Sequence, residues 1–260
     1  MTSTRLWDRA ALATIPSQRR RSPAVTALPA SLPTTIELFE FMRDAELRFA
    51  TLTLRILERS GTTRGEEATR VDVVMRHPGQ ARVTTSPATE DIGDGYEIWI
   101  SDGDLVRTYA ARHTLGTQRP VRNRPRGLAD GDLPGMSKVY MPITPLPAET
   151  LPETFIHPAG YCQNILATGR CTVTGTALIA GREAVLLQCD HPRTIEIAGD
   201  RPDHRIDLAV DHRLGVILRL IESFGPEVTR HAEVTDIRPD AILPPTAFDF
   251  VFPSGTTMLF

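Results

Sequence analysis

Residues 206–222, IDLAVDHRLGVILRLIE, alternate apolar and polar side chains, break at Asp211–Gly215, and alternate again. A period of two puts every second side chain on one face of a strand. Two such runs joined by a short turn dictate an antiparallel pair with one apolar face. The stretch offers no nucleophile and no metal-ligand spacing, so burial of apolar surface is its evident purpose.

The same period recurs along the chain. Ala50, Leu52, Leu54 and Ile56 share one strand face, as do Val71, Val73 and Met75, and, after the His77-Pro78-Gly79 turn, Ala81 and Val83. In YEIWISDGDLVRTYA, residues 96–110, Asp102-Gly103 suits a two-residue type I′ turn, whose two positions need positive φ. That turn pairs Ser101 with Asp104, Ile100 with Leu105, Ile98 with Arg107 and Tyr96 with Tyr109. One face then carries Tyr96, Ile98, Ile100, Leu105 and Tyr109, and the other Trp99 and Val106. CTVTGTALIAGREAVLLQCD reads as a second hairpin turning near Ala180-Gly181. Residues 205–237 read as a three-stranded meander with turns at Asp211–Gly215 and Phe224–Glu227. Its inward positions are Ile206, Leu208 and Val210, then Val216, Leu218 and Leu220, then Val228, Ala232 and Val234.

Helical signals are few. Thr34 and Glu37 have capping-box spacing just after Pro33. Ile36, Phe39 and Met42, with Leu38 and Phe41, recur at helical spacing, which predicts a helix over about 35–45. AGYCQNILAT, residues 159–168, predicts a short second helix. About nine or ten strands against one or two helices give a mostly β (α+β) class with an antiparallel sheet. The 21 prolines, against 18 glycines, fit strands and long loops better than a helical bundle.

The 260 residues divide into a flexible N-terminal tail over 1–33, rich in Ser, Thr, Pro and Arg, and one domain over 34–260. Within it, residues 111–150 read as a long loop rich in Pro, Gly and Arg, expected to act as a mobile flap.

Several function classes are excluded. A net charge of −3 gives no field to draw nucleic acid, and Arg119, Arg122, Arg124 and Arg126 lack interleaved aromatics for stacking on bases. No apolar run is long enough to span a bilayer, although peripheral membrane contact is compatible with the composition. Residues 1–23 lack the apolar core of a secretory signal, because the longest apolar piece is Ala10–Ala13 and the basic cluster Arg19–Arg21 follows it. On that ground the expected address is cytoplasmic. Cys162, Cys171 and Cys189 are then expected as reduced thiols; in an oxidising compartment the simplest bridge joins Cys162 to Cys171.

No cofactor and no metal site is expected, since there is no C-x-x-C and no flanking Cys/His pair. Asp-His occurs at Asp190-His191, Asp203-His204 and Asp211-His212. Adjacent strand residues point to opposite faces, and these pairs fall at turns or strand ends, so turn chemistry is the reading. The G-x-S-x-G and G-x-x-x-x-G-K-[ST] signatures are absent, and no enzyme activity is expected.

The C-terminal third resembles the LolA/LolB/RseB superfamily of lipoprotein-handling proteins. The resemblance is carried by IDLAVDHRLGVILRLIE, by AEVTDI at 232–237 and by AFDFVFPSG at 247–255, and it extends back over most of residues 35–255. It implies a curved, half-open antiparallel sheet, an incomplete barrel with a plug helix on its concave side. It also implies a hydrophobic groove for acyl chains, an acylated protein or another apolar ligand, and an exported address. The groove-lining residues expected from the strand pattern are Tyr96, Ile98, Ile100, Leu105, Tyr109, Leu208, Val210, Leu218, Leu220 and Val234. The alternative function is an RseB-like regulatory or sensor module that binds a protein partner.

Overall fold

A computed structural model describes residues 23–62, 65–88, 95–122, 142–193 and 202–259. Its strands are β1 (Thr51–Thr62), β2 (Gly65–Arg76), β3 (Gln80–Pro87), β4 (Glu97–Asp102), β5 (Leu105–Ala110) and β6 (Leu115–Pro120). They continue with β7 (Arg170–Ile179), β8 (Arg182–Asp190), β9 (His204–Asp211), β10 (Ile217–Phe224), β11 (Glu227–Pro239) and β12 (Thr257–Leu259). All twelve form one sheet, in the order β12-β6-β5-β4-β3-β2-β1-β11-β10-β9-β8-β7. Two antiparallel meanders, β1 to β6 and β7 to β11, therefore meet where β1 pairs with β11. The sheet stays open, with β12, which runs parallel to β6, at one edge and β7 at the other.

The alternation predicts the buried face well. Leu52, Leu54, Ile56, Val71, Val73, Met75, Ala81 and Val83 are all buried in one apolar core. The meander contributes Ile206, Leu208, Val210, Val216, Leu218, Leu220, Ala232 and Val234 to it. Val228 departs from the expectation and is 56% exposed. An irregularity between Glu222 and Ser223 sets it opposite Ser223 instead of in step with Arg230 and Ala232, which turns it to the other face.

Three short helices lie on the core face: α1 (Thr35–Arg43), α2 (Leu151–Ile156) and α3 (Ala159–Asn164). The α1 capping box forms as its spacing predicts. Thr34 Oγ1 accepts from the Glu37 N–H at 3.2 Å, and Glu37 Oε2 accepts from the Thr34 N–H at 2.8 Å. Leu38, Phe41 and Met42 face the sheet, while Ile36 points to solvent. α2 has no counterpart in the sequence reading. Its Leu151, Phe155 and Ile156 are buried, and Pro152 stands in the first turn, where a missing N–H costs nothing.

Two boundaries differ from expectation. Leu115–Pro120 is strand β6, so the long loop does not begin at 111; residues 123–141, the middle of the expected flap, lie outside the described residues. Within the expected N-terminal tail, residues 1–22 also lie outside the described residues, but Leu28 is buried in the core. Arg48 ties this segment down. Its guanidinium donates to the carbonyls of Val25 at 2.6 Å, Phe41 at 2.8 Å and Leu214 at 3.2 Å, and covers the Phe41 ring. Burial pulls its pKa down to about 10.

The β4–β5 register also differs. Ile98 pairs with Tyr109 and Ile100 with Arg107, two residues away from the predicted pairing. Gly103 has positive φ, but Asp102 does not, so the turn is not type I′. The Asp102 carboxylate instead accepts the N–H groups of Asp104 at 3.0 Å and Leu105 at 2.8 Å, holding a wider turn. A shift of two residues preserves the faces, so Trp99 still lies opposite in orientation to Ile98 and Ile100. At Ala180-Gly181 both residues do have positive φ, and the turn there is the two-residue kind.

The β9–β10 turn is held by a buried carboxylate. Asp211 is fully buried; Arg182 donates to both its oxygens, and the N–H groups of Arg213 and Leu214 donate to Oδ1 at 2.9 and 2.7 Å. Asp211→Ala should cost about 3 kcal/mol, because it strands the guanidinium and a buried N–H together. Urea denaturation followed by circular dichroism reads this as a lowered midpoint. A midpoint within error of the parent's would show that Asp211 does not hold the turn.

Candidate functional site

The register divides the ten expected groove-lining residues between the two faces of the sheet. Leu208, Val210, Leu218, Leu220 and Val234 lie under the helices, each no more than 1% exposed. Tyr96, Ile98, Ile100, Leu105 and Tyr109 lie on the other face. There Val83 opposes Trp99, so Ile98 and Ile100 point away from the core. That second face is covered by the C-terminal segment carrying AFDFVFPSG. Tyr109 packs on Phe250 with ring centroids 6.1 Å apart, and Phe252 fills the space above Gly116, where a Cβ would meet its ring at 2.6 Å. The ten residues thus line no single groove. Sequence alternation assigns each strand its faces, but it does not say which face the helices cover.

On the helix-covered face, the five meander residues meet Phe41, Phe155, Ile156 and Leu166, all fully buried. Two of the three helices on this face are weakly built. α2 and α3 have six residues each and no side-chain N-cap hydrogen bond, so their helicity depends on packing against the sheet. One polar anchor fastens them at the β1 end. His157, just after α2, sets Nδ1 3.2 Å from Glu46 Oε2, and the same oxygen accepts the Ile143 N–H at 2.9 Å. Next to it, Thr144 Oγ1 bonds His77 Nδ1 at 2.7 Å and the Gly79 N–H at 2.9 Å, which holds residues 143–144 to the β2–β3 turn.

The other end of the apolar wall is polar. Glu58 opposes Ala232 and Arg230 opposes Glu222, so these residues continue the row that carries Leu220 and Leu208. Arg230 Nε donates to Glu58 Oε1 at 2.7 Å. Tyr161 of α3 reaches toward this group. Its hydroxyl is buried and has no hydrogen-bond partner among the described residues, and burial, with the Glu222 charge beside it, drives its pKa well up. Sequence reading did not find Tyr161; its only signal is a lone aromatic in a short amphipathic helix.

The Asp-His pairs divide between the two ends of β9: Asp211-His212 closes one end, and at the other Asp203-His204 stands beside Asp190-His191, where the His191 N–H donates to the His204 carbonyl at 2.8 Å. The His204 ring stacks on Phe224 with centroids 4.6 Å apart, and the Asp211 carboxylate is committed to Arg182 and the turn. Among the described residues, no three His, Cys, Asp or Glu side chains are grouped to hold a metal ion, and no helix is long and apolar enough to cross a membrane.

No protein-family model matches the chain, and no curated protein matches its sequence. Solved structures do match. The MucA/MucB complex of Pseudomonas aeruginosa aligns at 12% identity and a TM-score of 0.48, over 83% of this chain and 60% of that one. A LolA superfamily protein of Nitrosomonas europaea aligns at 10% and 0.32, over 84% and 98%. An outer membrane lipoprotein-sorting protein domain of Vibrio parahaemolyticus aligns at 8% and 0.31, over 81% and 95%. The chain spans about three fifths of the MucB structures it matches. The open antiparallel sheet with short helices on one face agrees with the half-open antiparallel sheet expected above. The cytoplasmic address is corrected. It rested on the composition of residues 1–23, whereas the solved structures that align with the chain include MucB in complex with MucA(peri) and the outer membrane lipoprotein-sorting domain.

Proposed function

We propose that this protein is a non-enzymatic binder of an acyl chain or similar amphiphile, free or carried on a lipoprotein. The ligand lies along the helix-covered face when α3 moves aside. The observation that carries this reading is the Tyr161 hydroxyl. An orphaned buried hydroxyl costs about 1–3 kcal/mol, and it stands where an apolar wall ends in Arg230, Glu58 and Glu222. An apolar surface ending in a few polar groups is the arrangement an amphiphile requires. The short, uncapped α2 and α3 can leave the sheet at modest cost, while the Glu46–His157 anchor keeps the far end in place.

The test is titration of the delipidated protein with a fluorescent fatty acid. The parent should bind saturably. Tyr161→Phe should keep or raise the urea midpoint, because it removes the orphaned hydroxyl. It should also weaken the probe about 5–10-fold, the equivalent of one hydrogen bond of about 1–1.4 kcal/mol. No saturable binding by the parent would overturn the reading.

A second reading, a regulatory or sensor module holding a protein partner, is favoured by a different observation. Ile242 and Val251 of the C-terminal segment are 101% and 87% exposed. Close by in the chain, Phe252, Met258 and Leu259 line an open cleft of about 550 Å³. Ile242→Asp with Val251→Asp leaves fatty-acid binding intact under the first reading and removes partner binding under the second.

A further inference from the structure

Two of the three cysteines stand together. Cys171 on β7 and Cys189 on β8 are directly opposite in register. Residues so paired have Cα atoms about 4.5–5.5 Å apart, within the roughly 4.4–6.8 Å that a disulfide spans. Both sulfurs also converge on one acceptor, the Leu166 carbonyl, at 3.1 Å from Cys171 Sγ and 3.5 Å from Cys189 Sγ. Gly169 leaves the room they need, since a Cβ there would lie 2.6 Å from Cys189 Sγ. Cys162 is apart from them, buried, with its sulfur 3.8 Å from Met42 Sδ. The pairing expected from sequence separation, Cys162 with Cys171, is therefore not the one the fold sets up.

The two sites are unequal in a useful way. Cys171 is partly buried on the edge strand, while Cys189 on the next strand is fully buried. The contact with Cys189 lowers the Cys171 thiol below its ordinary value, and the same contact raises Cys189. The less buried sulfur is thus the one a small oxidant meets first, and the resolving sulfur lies directly across from it.

We propose that Cys171 and Cys189 are a redox-modification site, forming a reversible disulfide that staples the free edge strand β7 to β8. The oxidant is a small disulfide, RSSR. The Cys171 thiolate attacks one sulfur of RSSR, the S–S bond breaks, and RS⁻ leaves. Cys189, deprotonated, then attacks the Cys171 sulfur and expels the second RS⁻. The two protons lost by the protein thiols end on the two RS⁻, so two protein thiols are oxidised and RSSR is reduced to two RSH. Oxidation also takes two S–H donors from the Leu166 carbonyl and leaves it the Gly169 N–H at 3.1 Å. The redox state therefore acts on the turn that follows α3.

The experiment treats the full chain with oxidised glutathione, blocks remaining thiols by alkylation under denaturing conditions, and maps it by mass spectrometry without reduction. Trypsin cuts after Arg170 and Arg182, which puts the three cysteines on separate peptides. The expected result is one peptide pair joining Cys171 to Cys189, lighter by two hydrogens than the separate peptides, with Cys162 alkylated. Dithiothreitol should abolish it. A lasting glutathione adduct on Cys171, a bridge through Cys162, or alkylation of all three cysteines would each overturn the proposal.

Discussion

Leu218→Glu is expected to unfold the protein near neutral pH. Leu218 is fully buried at the irregularity between Ile217 and Arg219, on a strand that α2 packs against. A carboxylate there meets the leucine, phenylalanine and isoleucine side chains of the core. An unpaired buried charge costs several kcal/mol, comparable with the about 5–15 kcal/mol that holds a typical domain together. The sign of the pH dependence follows. Burial raises the folded-state pKa of the new carboxyl above its unfolded value, so the folded state binds the extra proton and stability rises as pH falls. Any residual folding should therefore strengthen from pH 7 toward pH 5, where the parent shows no matching gain. A soluble variant with the parent's urea midpoint would mean that water reaches this face in the resting state, and that the helices are not packed on it.

How much of this was readable from the chain varies by element, for physical reasons. Period-two alternation needs only side-chain polarity, so Leu52–Ile56, Val71–Met75 and the 206–222 pair were legible at once. α2 was not, because LPETFI is under two turns long and too short to show a period; it is helical because Leu151, Phe155 and Ile156 pack on β10. β6 was hidden by Gly116 and Pro120, and it pairs because β5 offers a free edge. The β4–β5 turn was misread because a single carboxylate, Asp102, competes with the backbone for the N–H groups of the turn. The candidate site was half legible. Strand faces follow from sequence, but the covering of each face depends on contacts between distant segments. The C-terminal phenylalanines claimed the face of Ile98 and Tyr109, and the helices claimed the face of Leu208 and Leu220.

That division gives the sheet two apolar cores of unlike character. Behind β4 and β5 the cover is extended chain, pinned by interlocking rings and by Arg76 lying 5.3 Å over Phe248. In front of β10 it is α2, a helix of under two turns whose N-terminus lacks a side-chain cap. Cover of the second kind opens at lower cost, because few backbone hydrogen bonds are lost when it lifts. Binding energy is better placed there than on the face closed by aromatic packing.

Phe155→Ala measures that difference. Phe155 is fully buried and is the largest side chain that α2 contributes to the core. Removing it should cost about 3–5 kcal/mol, from lost transfer energy and from the void left between α2 and the sheet. A core that collapses into the void loses less, and one held open by a rigid sheet loses more. The strands below Phe155 belong to a twelve-stranded sheet and have little freedom to follow, so the upper part of that range is expected. The void would be lined by apolar groups, and such cavities stay dry and accept small apolar molecules. A short-chain alcohol or benzene should therefore raise the midpoint of Phe155→Ala and leave the parent's unchanged. If the face is built for an acyl chain, the variant should also bind the fluorescent fatty acid more tightly than the parent, since the site is already partly cleared. Loss of stability with neither apolar rescue nor tighter probe binding would mark this face as a plain core, and the amphiphile would then have to bind elsewhere.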